Sequence, residues 1–234
     1  MRDRYLIVTA GGSGTRMGAA LPKQFLELSG VPILHRTIAR FQEACPGIHI
    51  LTVLPADHLQ AWRRYCQQAA GLLPPQRLVQ GGFTRFHSVQ NALRHVPDGV
   101  IVAVHDGVRP LISVAKIREM FARMETEHAL IPVVPMVDTL KVLEKAEDGT
   151  LRTGEGRVDR SRVYGAQTPQ LFRSEELKAA YGQGYDTAFT DDASVALQYG
   201  IPLSYIAGER YNLKITEPAD LTLAEAIYSL SRRE

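Results

Sequence analysis

With 234 residues, 45% of them hydrophobic, the chain can bury a substantial core, and its formal net charge of +2 is too small to mark a nucleic-acid or membrane-surface binder. No stretch approaches the ~20 apolar residues of a membrane span, and the first apolar run stops at Gly11, short of a secretory segment. Cys45 and Cys66 show neither metal-ligand spacing nor a disulfide framework, so a cytoplasmic protein is the expectation.

In chain order, Tyr5-Leu6-Ile7-Val8 predicts a buried strand, followed by a glycine-rich turn from Ala10 to Gly18 and then Pro22-Lys23. Ile33–Ala44 has helical spacing, Ile48–Leu54 predicts a strand, and Pro55 with Asp57 opens a helix toward Gln68. Leu78-Val79-Gln80 is a short strand ending at Gly81-Gly82, Ser88–Val96 is amphipathic, and Val100–Val104 is another buried strand. Ser113 can cap a helix running to Glu127, ahead of a strand at Leu130–Val134. Helices are expected from Ser174, around Asp191–Tyr199 and over Pro218–Leu230, with a strand at Leu203–Ile206. This alternation predicts an α/β fold: a doubly wound, mostly parallel, Rossmann-like sheet in one domain spanning residues 1–234.

Between about residues 138 and 160 the character changes to charged and glycine-punctuated. This stretch reads either as a surface loop or, the favoured alternative, as a projecting β-arm pairing Thr139–Val142 with Val158–Val163 and needing a partner for its apolar side.

The first glycine loop is built for phosphate. Glycines leaving a strand bare backbone N–H groups, and Arg16 and Lys23 add two positive charges. It is not a dinucleotide fingerprint, because Met17 stands where the third glycine belongs, nor a P-loop, because Gly18 is followed by Ala19-Ala20. Strands in such sheets present ligands at their carboxyl ends, so the loops at Gly11, Gly81 and His105-Asp106 should converge. There Asp106 can hold a hydroxyl or help ligate a divalent cation and Arg109 can meet a phosphate, or the two can simply pair and brace the loop. Gly82 and Ser88 suit either a flat base or an ordinary helix cap. Thr190 or Asp191 suits an N-cap, and Lys214, between Leu213 and Ile215, is also what a solvated strand lysine looks like.

The pattern G-G-x-G-T-R-M with a following P-K resembles the signature of nucleotidyltransferases that activate sugars and polyols. Taken with Gly81-Gly82-x-x-Arg85-x-x-Ser88, Val104-His105-Asp106 with Arg109-Pro110, Asp138-Thr139, Val158-Asp159-Arg160, Thr168-Pro169-Gln170, Thr190-Asp191, Ala193-Ser194 and Asn212 with Lys214, the chain resembles the 2-C-methyl-D-erythritol 4-phosphate cytidylyltransferases of the non-mevalonate isoprenoid pathway. The resemblance implies transfer of CMP from CTP to methylerythritol phosphate with Mg²⁺. It implies that Arg16 and Lys23 stabilise charge on the α-phosphate and pyrophosphate, with Arg160 and Lys214 completing the charged set. Ala10, Gly11, Gly12, Gly14, Gly82, Arg85, Ser88 and Asp106 would bind CTP, with Asp106 the candidate metal ligand. Arg109, Thr139, Thr168 and Thr190 would hold the acceptor, with Thr139 and Arg160 reaching it from the partner of a homodimer. No nucleic-acid or membrane partner is implied. The chain departs from the family pattern at Phe83, where an acid is common, which puts a polar contact near the base in question. Ribitol 5-phosphate cytidylyltransferases share the fold and chemistry and differ in the acceptor.

Overall fold

The computed structural model describes residues 2–12 and 22–231. The expected alternation is present: β1 (Arg4–Thr9), a small hairpin of β2 (Glu27–Leu28) and β3 (Val31–Pro32), α1 (Ile33–Ala44), β4 (His49–Leu54), α2 (Ala56–Gln68) and β5 (Gln76–Gln80). Then come α3 (Arg85–Leu93), β6 (Ile101–Asp106), α4 (Val114–Arg123), β7 (Ala129–Pro135) and a hairpin of β8 (Leu143–Lys145) and β9 (Leu151–Thr153). The chain continues through β10 (Tyr164–Ala166), β11 (Gln170–Arg173), α5 (Ser174–Ala180), α6 (Asp192–Tyr199), β12 (Ser204–Ala207) and α7 (Pro218–Leu230).

Hydrogen-bonded neighbours in the main sheet run β10-β7-β11-β6-β1-β4-β5, with β12 also on β7. The β6-β1-β4-β5 half is parallel throughout, and the antiparallel pairs are those made by β10 and β11. Because strand side chains alternate, each central strand feeds two cores. Leu6, Val8 and Ala103 pack with Leu34, Phe41, Trp62 and Phe121 on one face, while Ile7, Val102 and Val104 pack with Phe86, Val89, Leu177 and Val195 on the other. That two-faced burial explains the continuous apolar runs of β1 and β6, since helices cover both sides.

Chain order reverses at β1, which has β4 on one side and β6 on the other. Such a switch point leaves a crevice beyond the strand carboxyl ends. Thr9 and Asp106 are register partners there.

Three local expectations need correction. α3 starts at Arg85, three residues before Ser88, because Thr84 takes the N-cap position and accepts the His87 N–H. Ser113 does cap α4, through the Lys116 N–H at 3.0 Å, but the helix ends at Arg123 rather than Glu127. The arm pairs Leu143–Lys145 with Leu151–Thr153 instead of Thr139–Val142 with Val158–Val163. A short turn at Asp148-Gly149 closes this hairpin: Gly149 takes φ +84° and the Asp148 carboxylate accepts the Thr150 N–H at 2.9 Å. Closing near the turn costs less chain entropy than pairing the distant ends, and Arg160–Arg162 folds into a 3₁₀ turn capped by Asp159.

Candidate active site

The crevice between β1 and β6 is a cavity lined by Ala10, Gly11, Gly12, Lys23, Gly82, Arg85, Ser88, Asp106 and Lys214, among others. The three loops therefore converge as expected. Gly14 and Arg16 lie outside the described residues.

The glycine walls follow from close approach. The Ala10 N–H donates to the Val53 carbonyl at 2.9 Å, which ties the start of the first loop to β4. A Cβ on Gly12 would stand 3.3 Å from Lys23 Cε, so the missing side chain makes room for the lysine stem. Gln24, fully buried, donates from Nε2 to the Ala10 carbonyl at 2.8 Å and thereby ties the Pro22-Lys23 segment to the glycine loop. On the opposite wall the Gly82 N–H donates to Ser88 Oγ at 3.0 Å, and that hydroxyl donates in turn to the Thr84 carbonyl. A Cβ on Gly82 would lie 2.4 Å from His87 Cβ, so glycine is required for this approach. Phe83 projects fully exposed at the rim.

Asp106 is the one carboxylate among the described residues lining the cavity. Its Oδ2 accepts from Arg109 Nε at 3.0 Å and stands 3.1 Å from Lys214 Nζ. Burial alone would raise the Asp106 pKa, but the cations of Lys214, Arg85 and Arg109 outweigh it and hold the carboxyl well below the usual range. The bracing alternative for Arg109 is therefore realised: its other contact is the Asn212 carbonyl, at 2.7 Å. Lys214 is aimed by its neighbours. Ile215 is buried against Leu28, Ile33 and Val108, and its N–H donates to the Val108 carbonyl at 2.9 Å, so the preceding side chain is turned into the crevice.

Behind Asp106 lies a buried relay. The Asp106 N–H donates to Thr168 Oγ1, which lies 3.0 Å from His105 Nδ1, and His105 Nε2 lies 3.2 Å from the Arg109 carbonyl. A carbonyl can only accept, so Nε2 carries the proton, Nδ1 accepts, and the Thr168 hydroxyl donates to it. Burial pushes the His105 pKa down to about 4, leaving the ring neutral at pH 7. Thr168, expected at the acceptor, is buried and commits its only hydroxyl proton here.

Four other expected residues stand outside the cavity lining: Arg109, which braces Asp106 from behind, and Thr190, Thr139 and Arg160. Thr190 is exposed, with its N–H on Ser194 Oγ at 3.1 Å. Thr139 is exposed, and Arg160 donates from Nη1 to the Val137 carbonyl at 2.7 Å at the base of the arm. Sequence reasoning gave Gln24, part of the Pro22-Lys23-Gln24 motif, no role, and missed the partnership of Arg85 with Asp192, whose two ends are 107 residues apart. No local pattern signals either one.

Among the described residues no three His, Cys, Asp or Glu side chains cluster as a metal site. One ion-paired carboxylate fits a hard cation that brings most of its oxygens from phosphate and water, as Mg²⁺ does. Nor does any described helix have the length and apolarity to cross a membrane.

Fold and crevice together define an α/β nucleotidyltransferase. The family model of IspD, 2-C-methyl-D-erythritol 4-phosphate cytidylyltransferase, matches residues 5–230. A relative from Porphyromonas gingivalis, called 2-C-methyl-D-erythritol 4-phosphate cytidylyltransferase, is 46% identical over 97% of this chain and 98% of its own. One from Bacteroides thetaiotaomicron with the same name is 42% identical over 95% and 98%. The crystal structure of 4-diphosphocytidyl-2C-methyl-D-erythritol synthase from Anaerococcus prevotii superposes with a TM-score of 0.77 at 25% identity, covering 97% of this chain and 99% of that one. The chain belongs to the 2-C-methyl-D-erythritol 4-phosphate cytidylyltransferase family.

Proposed function

We propose that the protein transfers CMP from CTP to 2-C-methyl-D-erythritol 4-phosphate, yielding 4-diphosphocytidyl-2-C-methyl-D-erythritol and pyrophosphate for isoprenoid precursor synthesis in the cytoplasm. The observation that carries this reading is the convergence of glycine backbone, Lys23, Lys214 and Asp106 in the switch-point crevice of a chain that matches the family over nearly its whole length.

An oxygen of the acceptor phosphate forms a bond to the α-phosphorus. The bond from that phosphorus to the bridging oxygen breaks, and pyrophosphate leaves with the electron pair. A phosphate oxygen is already nucleophilic, so no general base is needed, and the work is to align two anions and neutralise charge. Lys23 and Arg16 meet the α-phosphate and leaving group. Ala10, Gly82 and Ser88 line the base, and Asp106 holds the ribose side; Asp106 is also the residue that would help hold Mg²⁺, which would supply further charge neutralisation. Lys214, fixed 3.1 Å from Asp106, faces the incoming phosphate, with Arg109 bracing the pair and Thr190 on the acceptor side.

Thr139 and Arg160 act from the second subunit of a homodimer joined through the arm at about residues 138–160. Supporting this are their positions outside the cavity lining and the exposed Leu143 and Leu151, which fall on one face of the β8–β9 hairpin. An apolar groove across β7, β12 and α6, lined by Val133, Leu197, Leu203 and Tyr205, offers a surface for such a partner.

The test is pyrophosphate release with Mg²⁺ and CTP, offering methylerythritol phosphate and ribitol 5-phosphate in parallel. Turnover with the first alone is expected. Preference for ribitol phosphate would overturn the acceptor assignment, and release with neither would overturn the activity.

A further inference from the structure

Arg85 lines the crevice, yet its planar fork is not offered to it. Nη1 and Nη2 bind the two oxygens of Asp192 at 3.0 and 2.5 Å, and Tyr181 Oη donates to Asp192 Oδ1 at 2.6 Å. Asp192 is completely buried and Tyr181 is nearly so. Burial would lower the Arg85 pKa, but the Asp192 carboxylate overrides it and keeps the guanidinium charged.

The place of this knot matters. Arg85 is the first residue of α3, three residues after Gly82, and Asp192 is the first residue of α6, directly after Thr190 and Asp191. The segment joining Tyr181 to Thr190 lies on the same turn of α3. The Phe86 ring stacks on Tyr181 at 4.7 Å and on Phe189 at 5.7 Å, and His87 meets Tyr185 at 5.3 Å. The turn that holds the nucleotide wall therefore also holds the loop leading to Thr190. A buried ion pair contributes little net stability over apolar packing, whereas a bidentate fork fixes geometry.

Resting on the cytidylyltransferase reading above, we infer that Arg85, Asp192 and Tyr181 form a positioning device. It registers the Thr190 loop of the acceptor side against the Gly82–Ser88 wall of the nucleotide side. Arg85 acts through Asp192 and not by touching CTP.

Tyr181→Phe removes one hydrogen bond and leaves no charge unpaired, so it tests geometry with little threat to folding. The expected result is a KM for methylerythritol phosphate raised about tenfold, a KM for CTP within about twofold of wild type, and faster hydrogen exchange at amides 186–192 with α3 unchanged. Arg85→Lys keeps the charge but loses the fork and should show the same split, while Asp192→Glu should restore part of what Asp192→Asn loses. Equal rises in both KM values, or wild-type values with unchanged exchange, would overturn the device. Because exchange is read without turnover, it still decides the matter if wild-type protein fails to use the acceptor, a result that would instead break the activity assignment.

Discussion

The crevice and the arm are built on opposite principles. In the crevice several functional groups are held by groups distant in sequence: Asp106 by Lys214, Thr168 by His105, Arg85 by Asp192. In the arm the ordering is local. Asp148 binds Thr150 and Asp159 binds Ser161, each two residues on, Arg160 reaches back to Val137 at the base of the arm, and both strands are exposed along their length. On the proposed reading, the described crevice groups act from one chain, while Thr139 and Arg160 act across a dimer interface.

The sharpest way to break that contrast is to remove one charge from each region. Lys23→Ala should lower turnover by about 10²–10³ with folding intact, by analogy with the loss of a single oxyanion donor. Near-normal steady-state turnover would refute its charge-stabilising role. Arg160→Ala should also lose activity, but for a reason that mixing exposes. In dimers re-formed from equal amounts of Lys23→Ala and Arg160→Ala protein, half are hybrids, and one of the two sites in each hybrid is intact. Roughly a quarter of wild-type turnover should therefore return. If subunits exchange and nothing returns, the site is not shared between chains.

A smaller effect separates the interior of the crevice from its surface. His105 has its pKa pushed down to about 4 by burial, against about 6.5 for an unfolded histidine. Between those values the unfolded chain binds a proton that the folded chain refuses. Stability is therefore full above about pH 6.5 and is lost as pH falls toward 4, by about 3 kcal/mol. Urea midpoints between pH 4.5 and 7 should show this slope. His105→Gln, which retains an N–H for the Arg109 carbonyl, should flatten it, while any contribution from His35 is common to both proteins and cancels. An unchanged slope would show that His105 is not the group responsible.

How legible each region was in the sequence follows the same division. The limits of α1 and α7 were readable to the residue, because Pro32 and Pro218 mark their starts and their apolar spacing is regular. The crevice was readable as a meeting of loops, since strand order places Gly11, Gly81 and Asp106 at one edge. What stayed hidden was partnership. The sequence offers Arg85 as a nucleotide ligand without showing Asp192 beside it, and Thr168 as an acceptor ligand without showing its contact with His105. Between residues 138 and 160 a hairpin was legible but not its register, because two apolar stretches could pair and the Asp148-Gly149 turn decides between them.

Two glycines carry the comparison to its smallest scale. Gly82 is required for space: an added methyl would meet His87 Cβ at 2.4 Å, and only movement of the α3 first turn relieves it. Gly149 is required for conformation: it sits at φ +84°, and an added Cβ would find Lys145 Cε no nearer than 4.0 Å. Gly82→Ala should therefore disturb the Ser88 contact and raise the KM for CTP several-fold, with a stability loss of about 1–3 kcal/mol from overpacking. Gly149→Ala should cost about 1 kcal/mol of left-handed strain, confined to a hairpin that the core does not need. Its thermal midpoint should match wild type while the hairpin amides exchange faster. If Gly149→Ala instead lowers the thermal midpoint as much as Gly82→Ala does, the arm is coupled to the core, and the contrast between the crevice and a locally ordered arm fails.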